Sequence, residues 1–236
     1  MHTWENMVLF ITMSVIETLT ILTLILTLAR ISIQTYWRVM VVTTLIQAYI
    51  HYLLWSVESL HPYIVMMQLG LFLLHARYIF RLQWFSSIIL VGACSFFYII
   101  MQILALFLCD VTGIAQADQI NVQIARTTYV QQLVSIGMTG IVIWICYRHK
   151  LGFTFFYGKM VEEKRPMRKW LLLGCMFIGN SICFVPTTKY LVDNNTNDMW
   201  LVVVVYAVIT AVLLIYFYYT EKEKYMKTRQ AYLVRK

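Results

Sequence analysis

Glu17 is an acid set deep inside a long apolar run, about ten residues from that run's nearer end. A charge at the centre of a bilayer costs about 2.5–3.5 kcal/mol on insertion scales, so an acid placed there marks a site for binding or proton movement. Thr20 and Thr27 follow it near helical spacing. A second constellation lies downstream. Thr44, Gln47, His51, Trp55 and Glu58 are separated by steps of three, four, four and three, which puts all five on one face of a helix. Gln47 and His51 fall near the depth of Glu17 when the two segments run antiparallel, so the geometry permits a Glu17–His51 or Glu17–Gln47 contact. Gln68, Gln102, Gln131, Gln132 and Asn180 add polar groups in other apolar runs at similar depth. Together they could line a cavity open at one end. Glu17 would supply charge, His51 and Gln68 hydrogen bonds, and Glu58 the rim, with Gln47 a further ligand-binding candidate. The competing expectation is structural, since Gln, Asn and Thr between membrane helices commonly act as packing contacts worth about 0.6–2 kcal/mol.

Other chemistry is not encoded in a recognisable form. There is no HExxH zinc motif, P-loop or dinucleotide fingerprint. The last apolar run, 201–219, has no lysine to carry retinal. His51 and Glu58 lie seven apart and could approach one metal, but no third ligand accompanies them. Cys146 beside Arg148-His149-Lys150 reads as a thiol at a span end rather than a protease dyad. The five cysteines contain no CxxC pair and sit mostly in apolar runs, as small packing residues. No enzyme activity, metal or cofactor is expected.

The elements that must position these residues follow from composition. Apolar residues make up 61% of the chain and charged ones 13%, with mean hydropathy +0.71; a soluble domain carries about a quarter charged residues. In lipid, backbone polar groups must be satisfied internally, which leaves helices or a closed barrel, and long apolar runs select helices. Seven spans are expected, at about 7–29, 39–57, 63–81, 85–108, 127–147, 170–190 and 199–219, each near the ~20 residues that cross a bilayer. The fold class is thus all-α, a polytopic bundle of seven transmembrane helices. Its domains are a membrane domain at 1–219 and a basic exit segment at 220–236. The stretch 1–6 has no basic residues, so no removable signal peptide is expected.

Seventeen of the 19 lysines and arginines fall on alternate connections and the tail, leaving only Arg126 and Lys189 on the other side. The positive-inside rule then puts the N-terminus outside and the C-terminus in the cytoplasm. The net charge of +8 reflects this orientation and not a nucleic-acid footprint. Aromatics at span ends, such as Trp37, Trp84 and Trp170, fit an interfacial belt. The segment Gly152-Phe153-Thr154-Phe155-Phe156-Tyr157-Gly158 lies between basic clusters that attract anionic lipid. Asn194-Asn195-Thr196 matches a glycosylation sequon.

After the seventh span no Gly or Pro occurs up to Lys236. Tyr218, Tyr225 and Tyr232 repeat every seven residues, the spacing of a helix that leaves the membrane and pairs with a copy of itself; with only two heptads, a solvated basic tail is the competing expectation.

The layout resembles the membrane sensor module of peptide-responsive histidine kinases, the accessory-gene-regulator and competence receptors of Gram-positive bacteria. The likeness lies in six to seven spans, small outer loops and a helix leading inward. It also lies in the hairpin Arg77-Tyr78-Ile79-Phe80-Arg81-Leu82-Gln83-Trp84-Phe85 and the Gly152-Phe153-Thr154-Phe155 stretch. The resemblance implies an extracellular peptide as ligand, a histidine kinase or other signalling protein as partner, dimerisation, and a bacterial plasma membrane. The sequence up to Lys236 shows no phospho-acceptor or ATP-binding region, so the expectation is either an isolated sensor region or a stand-alone relative that signals through another protein. The expectation is a non-enzymatic receptor module for a peptide or amphiphile, relaying through Tyr218, Tyr225 and Tyr232. A small transporter or channel subunit, or a protein acting by helix packing alone, would use the same polar residues differently.

Overall fold

The computed structural model describes residues 4–57, 60, 63–112 and 126–152. The chain divides into two compact units, Met1–Phe153 and Thr154–Lys236, and every described residue belongs to the first. Glu58, Tyr218, Tyr225 and Tyr232, the sixth and seventh spans, the exit segment and the sequon lie outside the described residues.

All regular structure among the described residues is helical: α1 (Trp4–Leu28), α2 (Ile33–Trp55), α3 (Ile64–Leu74), α4 (Trp84–Val111) and α5 (Arg126–Arg148). Three of them contain stretches long and apolar enough to cross a membrane, namely Met7–Leu28, Ser86–Ala105 and Thr128–Arg148. α2 begins six residues before the expected span. Hydropathy placed that boundary, but Gln34, Thr35 and Arg38 contain no helix breaker, so the helix runs on past its apolar stretch. α3 is short because its last turn widens into a π-helix at His75–Ile79.

α1 is the hub, packing against α2, α4 and α5. α4 in turn packs on α3 and α5, and α2 touches α3, so α1 to α4 close a ring with α5 in the groove between α1 and α4. Leu22, Leu24, Ile25 and Leu26, consecutive or nearly so, are all buried, so α1 is covered on every side in its second half, while Val8, Leu9 and Ile16 are exposed in its first. The outside is also apolar. Only 17% of the apolar window of α5 is buried, and Leu133, Ile141 and Trp144 are exposed on it; Val42, Ile46 and Tyr49 are exposed on α2. Apolar helices that turn so many large side chains outward have the surface of a protein whose solvent there is hydrocarbon. This is the arrangement of a membrane protein.

Threonine hydroxyls in α1 are satisfied inside the helix. Thr12, Thr20, Thr23 and Thr27 donate to the carbonyls of Val8, Ile16, Leu19 and Thr23 at 2.7, 2.8, 2.6 and 2.8 Å. Thr20 and Thr27 therefore spend their donors locally.

Successive helices run antiparallel, shown by the pairs Ser14–His51, Tyr36–Phe80 and Tyr98–Ser135. Arg30, Arg38, Arg77, Arg81, Arg148 and Lys150 consequently gather at one end of the bundle, and Arg126 begins α5 at the other. At this basic end α1 and α5 stop in the same way. Arg30 and Lys150 adopt φ of 55° and 52°. The next amide reaches back over the turn, Ile31 to Leu26 at 2.9 Å and Leu151 to Cys146 at 2.8 Å, the pattern of a Schellman cap. The Arg30 guanidinium donates to the carbonyl of Lys150 and ties the two ends together. Gly152 completes the junction. Its φ is 150°, and a Cβ there would stand 2.7 Å from the Leu28 carbonyl oxygen, so only glycine fits.

The turn after α3 is held by its own side chains. Arg77 donates to the Leu82 carbonyl at 2.8 Å and stacks over Trp84 at 5.5 Å, and Tyr78 meets Trp84 edge-on at 6.0 Å. Tyr36 packs edge-on against Phe80 at 5.5 Å and fixes the start of α2 to this turn.

Candidate functional site

Glu17 is buried, 8% exposed, at the middle of α1. Its carboxylate turns toward α4, where Gln102 Nε2 donates to Glu17 Oε1 at 3.0 Å. The Tyr98 hydroxyl, one turn before Gln102, is also a hydrogen-bond neighbour of the carboxyl. Tyr98 OH and Ser135 Oγ of α5 lie 3.3 Å apart, and Gln131 Nε2 donates to the Gln102 carbonyl at 3.3 Å. Tyr98 and Gln102 are four apart on α4, and Gln131 and Ser135 four apart on α5, so two antiparallel helices present matched pairs to each other. Three helices thus meet around one carboxyl through neutral groups. Among the described residues no lysine, arginine or histidine forms an ion pair with it.

Neither of the contacts that helix depth permits, Glu17–His51 or Glu17–Gln47, forms. The axial register sets His51 opposite Ser14, three residues and about 4.5 Å from Glu17 along α1. Ser14 Oγ lies 3.5 Å from His51 Nδ1, and Trp55 Nε1 donates to His51 Nε2 at 2.8 Å. An indole N–H only donates, so Nε2 is the acceptor and the imidazole proton sits on Nδ1, toward Ser14. Phe10 covers the ring at 5.5 Å and packs edge-on against Tyr52 at 5.9 Å. His51 belongs to an α1–α2 contact, apart from the Glu17 cluster.

Gln47 lies one turn before His51, 3% exposed, and neither its Oε1 nor its Nε2 has a hydrogen-bond partner among the described residues. Gln68, on α3, is half-buried and makes no hydrogen bond among them. The five residues expected to share a pocket are therefore dispersed. Glu17 faces α4 and α5, His51 and Gln47 stand on α2, Gln68 on α3, and Glu58 is outside the described residues. Tyr98 and Ser135 were not anticipated. Their signal was the i,i+4 pairing with Gln102 and Gln131, hidden because an aromatic or a serine in an apolar run reads as packing.

Among the described residues no group of three His, Cys, Asp or Glu is placed to hold a metal. Cys94 and Cys109 are buried thiols in α4, as expected for packing residues. No family model matches this chain, and neither does any curated protein or solved structure.

Proposed function

We propose that the chain is a non-enzymatic sensor module of a bacterial plasma membrane. In this reading seven helices cross the bilayer, with the N-terminus outside and the C-terminus in the cytoplasm. An extracellular amphiphile or peptide is sensed within the bundle, and the change is passed to a cytoplasmic partner, such as a histidine kinase, through Tyr218, Tyr225 and Tyr232.

The supporting observation is the Glu17 cluster. A carboxyl held at membrane depth by Gln102 and Tyr98, with Ser135 and Gln131 behind them, joins α1, α4 and α5 through groups that a bound ligand can recruit. Such a node is a rigid-element switch: a ligand that binds one arrangement of the three helices better than another shifts their packing. The gathering of basic residues at one end of the described bundle supports the proposed orientation.

The test places an environment-sensitive fluorophore at Arg229 of the full chain in nanodiscs and titrates a panel of amphiphilic peptides. The reading expects a saturable change in fluorescence that Glu17→Gln reduces at least tenfold in apparent affinity. A silent reporter with Glu17-dependent solute counterflow in liposomes would replace it with the transporter reading. That second reading has its own support in a mid-helix acid without a basic partner among the described residues, the usual composition of a proton or ion path.

A further inference from the structure

We propose that α1, α4 and α5 form a binding site for a primary ammonium or guanidinium group, with Glu17 as its counter-charge. The proposal rests on the sensor reading for its biological sense and names the ligand chemistry of that site. Three observations carry it.

The first is the acid itself. Glu17 is buried and has a hydrogen bond from Gln102 and the Tyr98 hydroxyl beside it, yet an ionised carboxyl offers about four acceptor positions. Neutral donors occupy part of that capacity and would cancel none of the charge of the ionised form.

The second is the pair of unpartnered groups on α5, within two turns of Ser135. Tyr129 is 8% exposed and its hydroxyl is covered without a hydrogen-bond partner among the described residues; Gln132 Oε1 is in the same condition. Tyr129, Gln132 and Ser135 are spaced by three, so they climb one side of α5 in steps of about 4.5 Å from the serine that already touches Tyr98. Orphaned polar atoms are rare in native interiors, and each calls for a missing partner.

The third is the sign of what is missing. Glu17 accepts, Gln132 Oε1 accepts, and the tyrosine oxygen accepts as well as donates. The complement is a group with several N–H donors and a positive charge. A primary ammonium has three donors and a guanidinium five, while a hydroxyl, carbonyl or phosphate does not complete the set. Among the described residues, lysines and arginines stand only at the ends of the bundle, and none is at this level. Gln47, the other buried amide without a partner, stands on α2 and takes no part.

The experiment uses the full chain in neutral phosphatidylcholine nanodiscs, with decylammonium as probe and decyltrimethylammonium as control. Both carry the same charge and chain, but the quaternary head has no N–H donor. Thermal unfolding is followed against probe concentration. Decylammonium should stabilise the wild type saturably, with at least tenfold stronger apparent affinity than the quaternary analogue. Glu17→Gln should weaken decylammonium at least tenfold through loss of the counter-charge, and Gln132→Leu and Tyr129→Phe should each narrow the difference between the two amines several-fold. Those two variants keep the test decisive if Glu17→Gln does not fold. Equal responses to the two amines, or equal responses of wild type and variants, would mean partition into the bilayer and overturn the site. A selective response with a silent reporter at Arg229 would uphold the site and sink the sensor reading.

Discussion

Gln102 and Glu17, 85 residues apart in sequence, meet at 3.0 Å between an amide nitrogen and a carboxylate oxygen in the middle of the described bundle. The contact joins α1 to α4. It converts a costly group into a tether between helices, because leaving it means exposing a carboxyl to hydrocarbon without a donor.

The isolation of Gln47 predicts a gain in stability. Both ends of its amide are buried without a partner among the described residues, and an unsatisfied buried group costs about 1–3 kcal/mol. Gln47→Leu removes the polar atoms with little change in volume. Reversible unfolding in mixed micelles should show stabilisation of about 1 kcal/mol. A loss of stability would contradict the isolation.

Trp55 should matter to His51 more than to the fold at large. Its N–H satisfies His51 Nε2 at 2.8 Å, so Trp55→Phe leaves an imidazole acceptor without a donor, at about 1 kcal/mol. Adding His51→Phe should recover most of that loss, since the orphan is then gone. Failure of the second substitution to recover stability would show that the indole acts through packing alone.

The junction of α1 with α5 predicts a backbone effect. Gly152→Ala drives a Cβ to 2.7 Å from the Leu28 carbonyl and 3.1 Å from that of Thr27, in a conformation that L-residues rarely adopt. Strain of this kind costs about 1–3 kcal/mol. The thermal midpoint should fall, and Arg30→Ala should add less to Gly152→Ala than it costs alone, because both open the same junction. Full additivity would show that the Arg30–Lys150 bond and the Gly152 approach are independent.

Orientation is tested by labelling with a membrane-impermeant maleimide in intact cells, using a background without reactive cysteines. A cysteine at Ser56 should react from outside, and one at Lys150 only after permeabilisation. Reaction of both from one side would remove the proposed topology and the depth assigned to Glu17.

The five described helices were legible because each is an apolar run without internal proline, and lipid allows few other forms. Their ends were less legible. α2 starts early because Gln34, Thr35 and Arg38 are adequate helix residues that a hydropathy window excludes. Arg30 and Lys150 occupy left-handed positions where glycine is usual, so nothing in their types announced the caps. For the site, Glu17 was conspicuous as an acid where acids are costly. Its partners were not, because they depend on axial register between helices that are distant in sequence. A shift of three residues along α1 is enough to give His51 to Ser14 and leave Glu17 to Gln102. Tyr98 and Ser135 were missed because polarity at the tip of an apolar ring, or in a small hydroxyl, carries little weight in a composition count.

The central contact is tested most directly by a double-mutant cycle. Glu17→Leu, Gln102→Leu and the double variant are compared by equilibrium unfolding in the same bilayer discs. A coupling of about 0.5–2 kcal/mol is expected, within the range of hydrogen bonds between membrane helices. Additive losses would mean that the two residues do not hold each other, and the carboxyl-centred union of α1, α4 and α5 would be wrong.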